Sequence, residues 1–174
     1  MYTKALNFAK HAHKGQVRKY TGEPYINHCI AVSEIIRTAG FSIEVIAAAL
    51  LHDVLEDTAI TCEELEKEFG KRITTLVVEC TRQSKLTDGC RDMRLAIDAH
   101  HFSKSSKAGK SIKLADMIDN ICSGIKNNPK YYRKYLMEKD TELKALVGGD
   151  QHLLITACFL IASYGKTLDK WIEK

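Results

Sequence analysis

The run from Ile43 to Leu55 is the most buried-looking stretch of the chain, yet four ionisable side chains, His52, Asp53, Glu56 and Asp57, gather at its end. A helix this apolar belongs inside a core, enclosed by other elements. At roughly 100° per residue, the four charged side chains share an arc of about 140°. A carboxylate buried without a partner is expensive, so the cluster calls for a cation to face. Adjacent His52 and Asp53 therefore read as half of a metal site.

The remainder of the chain is read as helices that would enclose such a segment. Only two prolines occur in 174 residues, and helical periodicity runs almost throughout, so the expected fold is an all-α, compact multi-helix bundle. Residues 2–13 form a first helix with Leu6, Ala9 and Phe8 inward, followed by a basic loop from Gly15 to Gly22. Pro24 stands near the start of a second helix that reaches Gly40. Ser42 is placed to cap the helix after it. Thr61-Cys62-Glu63-Glu64 has the capping-box pattern and opens a short helix that Gly70 ends. Further helices are expected over about 71–81, near 91–101 and from Ser111 to Ile121, with two or three more after Pro129. The polar stretch 82–110 is the candidate mobile segment. No repeat or linker divides the chain, so residues 1–174 are expected to form a single domain.

Bulk properties narrow the class. Hydrophobic residues at 45% and charged residues at 28% describe a globular chain. No apolar run approaches the length of roughly 18 residues that a membrane span needs. The N-terminus has no signal-peptide core, so a cytoplasmic protein is expected. Six cysteines stand singly without a CxxC pair, which argues against zinc knuckles and disulfide frameworks and for reduced, mostly structural thiols. A net charge of +4 suits an anionic small-molecule ligand and is too mild to imply nucleic-acid binding. Oligomeric state is not legible.

A divalent ion could draw on His28, His52, Asp53 and Asp116, which come from three apolar helices. Two imidazoles and two carboxylates form a borderline-hard donor set suited to Mn²⁺, Fe²⁺, Co²⁺ or Zn²⁺. Glu56 and Asp57, one turn beyond, could handle protons or orient a water. Singly, each residue has a plainer reading. His28 would be a satisfied core histidine, Asp116 a partner of Lys113, and Glu56-Asp57 an ordinary helix end. His11, His13, His100 and His101 are expected to be solvated, and Cys29 points about 100° away from His28. Tyr25 is expected to pack, and Tyr20 could wall a pocket. What favours a site is the joint occurrence of His, His-Asp and Asp in that order.

That order resembles the HD-domain metal-dependent phosphohydrolases. The segment Gly15 to His28, the segment Ala48 to Thr58, and Lys113-Leu114-Ala115-Asp116 look like the hydrolase domain of Rel/Spo-type alarmone enzymes. The likeness covers about residues 2–125, and a C-terminal helical cap is expected over about 130–174. It implies a (p)ppGpp 3′-pyrophosphohydrolase that removes the 3′-diphosphate, usually with Mn²⁺. Carried over by position, His28, His52, Asp53 and Asp116 match the metal ligands, and Glu56 and Asp57 the pair that manages the hydrolytic water. Arg18 and Lys19 match the basic pair beside the nucleotide. Asn120 and Lys113 match further substrate positions. No synthetase domain follows, so a stand-alone small alarmone hydrolase is expected.

The chain departs from that pattern in two places. Over 82–110 the basic residues Lys85, Arg91 and Arg94 do not align simply, and Asp119 adds an acid beside Asn120. Two other functions therefore stay open. One is an HD phosphohydrolase for another (pyro)phosphorylated nucleotide or RNA end, and the other a silent nucleotide-binding partner.

Overall fold

The computed structural model describes the backbone of residues 1–19, 21–124 and 129–172, and side chains over 1–19, 21–124 and 135–164. Among these residues the fold is helical: α1 (Tyr2–Ala12), α2 (Ile26–Thr38), α3 (Ile43–Leu51), α4 (Val54–Asp57), α5 (Cys62–Phe69), α6 (Lys71–Cys80), α7 (Arg91–Ser103), α8 (Lys107–Gly124), α9 (Pro129–Ala145) and α10 (Gln151–Ile172). The one extended feature among them is an isolated antiparallel bridge, Val17 to Pro24. It shapes the basic loop into a hairpin, with Arg18 N–H donating to Glu23 O and Tyr25 N–H to Gln16 O.

Helix α3 is the axle. Every residue from Val45 to Leu51 is buried, and Ala47 to Leu51 expose no surface at all. The three alanines let neighbouring backbones come close, so α1, α2, α6 and α8 pack around it. Fully burying each of Leu50 and Leu51 is worth about 1.5–3 kcal/mol. Helix α8 is the second axis, buried from Ser111 to Ile118, and α10 closes over it with α9 alongside. Gly109 allows α8 to approach α6: a Cβ there would lie 2.9 Å from Glu79 Cβ.

Several local expectations change. The α3 segment does not run unbroken to Leu55, because the helix stops at Leu51 and restarts at Val54. Asp53 stands at the start of α4, and its carbonyl takes both Glu56 N–H and Asp57 N–H. This break turns His52 and Asp53 toward one point. Ser42 occupies the cap position of α3 in extended conformation but makes no side-chain capping bond. Thr61 and Glu64 form the full capping box, as their spacing suggests. The 82–110 stretch is organised: Asp98 on α7 is buried and accepts Gln83 N–H, Ser84 N–H and the Ser84 hydroxyl. Cys29 and Cys80 are buried, whereas Cys62, Cys90, Cys122 and Cys158 are exposed and free of disulfides. His13 is buried rather than solvated, stacked 4.9 Å from the Tyr25 ring with Nδ1 bonded to Gln16. His101 is half-buried, with Nε2 on Val78 O.

Candidate metal centre and nucleotide pocket

His28 from α2, His52 and Asp53 from the α3–α4 break, and Asp116 from α8 meet in the core. Each is 7% exposed or less, so bulk water does not solvate these charges. Donor atoms of His28, His52 and Asp53 lie within 4.8 Å of one another. Asp116 closes the fourth side, with Oδ1 at 3.2 Å from His28 Nε2 and 3.8 Å from His52 Nε2.

Both imidazoles are held from behind. His52 Nδ1–H donates to Ala49 O at 2.8 Å, and His28 Nδ1–H donates to Asp119 Oδ2 at 2.6 Å. Each Nε2 is thereby left to face the carboxylates. His52 Nε2 is buried and makes no hydrogen bond, although Asp53 Oδ2 is only 3.0 Å away. An orphaned buried nitrogen costs about 1–3 kcal/mol, and a cation among these donors would satisfy it. The residues present fit a divalent metal.

Electrostatics agree. Burial disfavours charge on the imidazoles, yet hydrogen bonds to Asp116, Asp119 and Asp53 push His28 up to about 11. His52 rises against the same burial penalty to about 9, through Asp53 and Asp116. Burial would raise both carboxylates, but His52 and His28 hold Asp53 well below the usual range, and Lys113 with His28 does the same for Asp116. The carboxylates stay ionised, and the imidazoles facing them hold protons that a bound cation would displace.

Further partners orient the carboxylates. Tyr25 Oη–H donates to Asp53 Oδ2 at 2.7 Å, and Asn120 Nδ2–H donates to Asp116 Oδ1 at 2.5 Å. Lys113, expected at the substrate, is buried and donates to Asp116 Oδ2 at 2.8 Å. It does not line the adjoining cavity. Glu56 is half-buried, with Oε1 at 3.1 Å from Arg82 Nη1 and Oε2 accepting Arg82 N–H. Asp57 is exposed, and its carbonyl takes the Gln16 side chain.

A cavity of about 210 Å³ opens beside the cluster. Arg18, Lys19, Tyr25, Arg82, Asn120 and Lys139 are among its lining residues. Arg18 is braced by Asn120 Oδ1 at 3.0 Å, Ser123 Oγ at 2.6 Å and Asp119 Oδ2 at 3.3 Å. A second cavity, which also reaches Arg82, has Glu56, Arg91 and Arg94 among its lining residues. Lys85 lines neither cavity, and Tyr20 lies outside the described residues.

Among the described residues, Tyr25, Arg82, Asp119, Ser123, Tyr135 and Lys139 enter the site although the sequence did not assign them to it. Asp119 was visible as an additional acid, and its i, i+3 and i, i+4 relations to Asp116 and Ser123 place the three on adjacent helical positions. Nothing in the order of residues links it to His28, which is 91 positions away. Tyr25 packs against His13 as expected, and its hydroxyl also engages Asp53.

A bundle of helices with a buried His, His-Asp, Asp cluster at the α3–α4 break defines an HD domain. The HD-domain family pattern matches residues 5–123, and the chain belongs to that family. Its relatives are more specific. The mouse guanosine-3′,5′-bis(diphosphate) 3′-pyrophosphohydrolase MESH1 is 36% identical over 172 residues, covering 94% of each chain. The bifunctional (p)ppGpp synthase/hydrolase SpoT of Escherichia coli strain K12 is 40% identical over 119 residues, 65% of this chain and 16% of that one. The solved structure of a metazoan orthologue of SpoT, described as hydrolysing ppGpp and acting in starvation responses, superposes with a TM-score of 0.82. It is 30% identical and covers 94% of this chain and 95% of its own. No described helix is long and apolar enough to cross a membrane.

Proposed function

We propose that this protein hydrolyses the 3′-diphosphate of guanosine alarmones, converting (p)ppGpp to GDP or GTP and pyrophosphate in the cytoplasm. The observation that carries the reading is the junction of a buried His₂Asp₂ donor set with a basic cavity. The names and near-complete coverage of the relatives supply the guanosine 3′-diphosphate. Residues 1–174 act as one hydrolase unit, in which α9 helps to form the pocket wall.

His28, His52, Asp53 and Asp116 would hold the ion, with Mn²⁺ favoured over Fe²⁺, Co²⁺ or Zn²⁺. Bound there, a divalent ion supplies Lewis-acid polarisation of the scissile phosphoryl group and lowers the pKa of water. Glu56 takes the proton from the attacking water as general base, while Arg82 fixes its carboxylate. Asp57, next in sequence and exposed, orients that water. The water oxygen bonds to the phosphorus carried by the 3′-oxygen, and the P–O3′ bond breaks. The 3′-oxygen leaves with a proton as the hydroxyl of GDP or GTP, and pyrophosphate departs. Arg18 offers a planar fork for base or phosphate and Lys19 a point charge. Asn120 links Arg18 to Asp116, so nucleotide recognition and the metal centre share one residue. Tyr25 and Lys113 hold Asp53 and Asp116 in place.

Incubation with Mn²⁺ and a panel of matched nucleotides tests this. ppGpp should yield GDP and pyrophosphate faster than its adenosine counterpart, a (d)NTP or a triphosphorylated RNA end. Silence on ppGpp, or equal turnover across the panel, contradicts the proposal.

A further inference from the structure

Among its described residues, helix α9 donates nothing to the metal centre, yet it sends a cation into the cavity. Lys139 lines that cavity and is only 5% exposed. Its ammonium is ion-paired to Glu142, one turn along, and lies 5.1 Å above the centre of the Tyr135 ring. Tyr135 lines the same cavity.

As a device for stability this pair makes little sense. An i, i+3 Lys–Glu pair on a helix surface adds a few tenths of a kcal/mol. Buried, it faces a desolvation cost that can exceed the Coulomb gain, and apolar residues there would do as well or better. Glu142 is also poorly satisfied, since its Oε1 is buried without a hydrogen-bond partner. Its charge is felt by Lys139, Lys113 and Arg82 together. Glu142 therefore acts as a counter-ion behind the cavity wall.

Among the described residues the lining holds four cations, Arg18, Lys19, Arg82 and Lys139, and no carboxylate. Arg18 is engaged by Asp119 and Asn120, and Arg82 by Glu56. The carboxylate that holds Lys139 lies outside the lining, so its ammonium can turn to an incoming anion while Glu142 stays behind it.

We infer that Lys139 binds the 5′-phosphates of the nucleotide, the anionic group that is not cut, with Tyr135 beneath it. This rests on the proposed function, which puts the 3′-diphosphate at the metal centre. The uncleaved anion then has to find its cation on a wall that the centre does not use, and α9 supplies one.

Calorimetric titration of the Mn²⁺-loaded protein with GDP, and separately with inorganic pyrophosphate, tests the assignment without turnover. Lys139→Gln should weaken GDP by about tenfold, the scale of one charge-assisted contact. Pyrophosphate should stay within about twofold. If Lys139→Gln does not fold, Lys139→Met/Glu142→Leu removes both charges together, and it should melt near wild type while showing the same selective loss. Unchanged GDP affinity means the pair is structural and overturns the inference. Equal loss of GDP and pyrophosphate places Lys139 on the departing group and overturns it too, as does a wild-type protein that binds no GDP. Failure of the proposed function would show separately, as wild type inert toward ppGpp.

Discussion

Replacing Asp119 by asparagine isolates the one carboxylate that joins the expected metal ligand His28 to the nucleotide-side Arg18. Asp119 Oδ2 accepts from His28 Nδ1 at 2.6 Å and stands 3.3 Å from Arg18 Nη2. Asparagine keeps an oxygen acceptor of the same shape, so the ring can hold its orientation while the charge behind it is lost. A histidine backed by a carboxylate is a more basic ligand, and removing such a partner typically weakens metal affinity by about 10–100-fold. That is about 1.4–2.7 kcal/mol. Asp119 is 18% exposed, enough for water to screen part of its charge, so the lower half of that range is expected. Mn²⁺ affinity of stripped protein, read by calorimetry beside a melting curve, is the assay. The expected result is Mn²⁺ binding weakened by roughly tenfold with an intact fold. Wild-type Mn²⁺ affinity in a folded Asp119→Asn protein refutes the reasoning. Arg18→Ala serves as the control: it should raise KM for ppGpp and leave metal affinity in place.

Three other outcomes follow from the same geometry. Glu56→Gln should retain bound metal and lose turnover by about 10²-fold or more, the scale of a lost general base; metal analysis beside kinetics checks both, and loss of metal would show Glu56 to be a ligand. In stripped protein the folded-state values of His28 and His52 are raised above the ordinary 6.5, to about 11 and about 9. Their contribution to stability is therefore full below pH 6.5 and is lost as pH rises through about 9 and then about 11. Melting temperature without metal should fall over that window, while Mn²⁺ binding, which displaces those protons, should strengthen; a flat profile contradicts the imidazole assignment. Gly109→Ala puts a methyl 2.9 Å from Glu79 Cβ between α8 and α6, and denaturant titration should show a loss of about 1–3 kcal/mol.

Much of the fold was legible because its signals are local. The capping box at Thr61, the apolar α3 and the sparse prolines depend on spacing alone, and helices stand where these cues lie. The meeting of His28, His52, Asp53 and Asp116 was legible for a related reason: imidazoles and carboxylates recurring together in apolar helices need one another or a cation to face. What stayed hidden depends on tertiary approach. The break between Leu51 and Val54 places His52 and Asp53, and its cue is not periodicity but the carbonyl of Asp53 taking two N–H groups. His13 looked like a surface residue until the loop hairpin folded Tyr25 onto it. Lys139 carries no signal in the sequence, because its place in the cavity lining depends on how α9 packs near α7 and α10. Asp119 looked like a disturbance of the pattern and proved to sit against both His28 and Arg18.

The most direct experiment titrates Mn²⁺ into stripped protein while following release of pyrophosphate from ppGpp. Turnover should rise linearly to one equivalent of Mn²⁺ per chain and then level off, with GDP formed in equal amount. His52→Ala, lacking the orphaned nitrogen at the centre of the cluster, should stay silent at every metal concentration. Full turnover before any metal is added, or a His52→Ala protein as active as wild type, would contradict the assignment of this cluster as the hydrolytic centre.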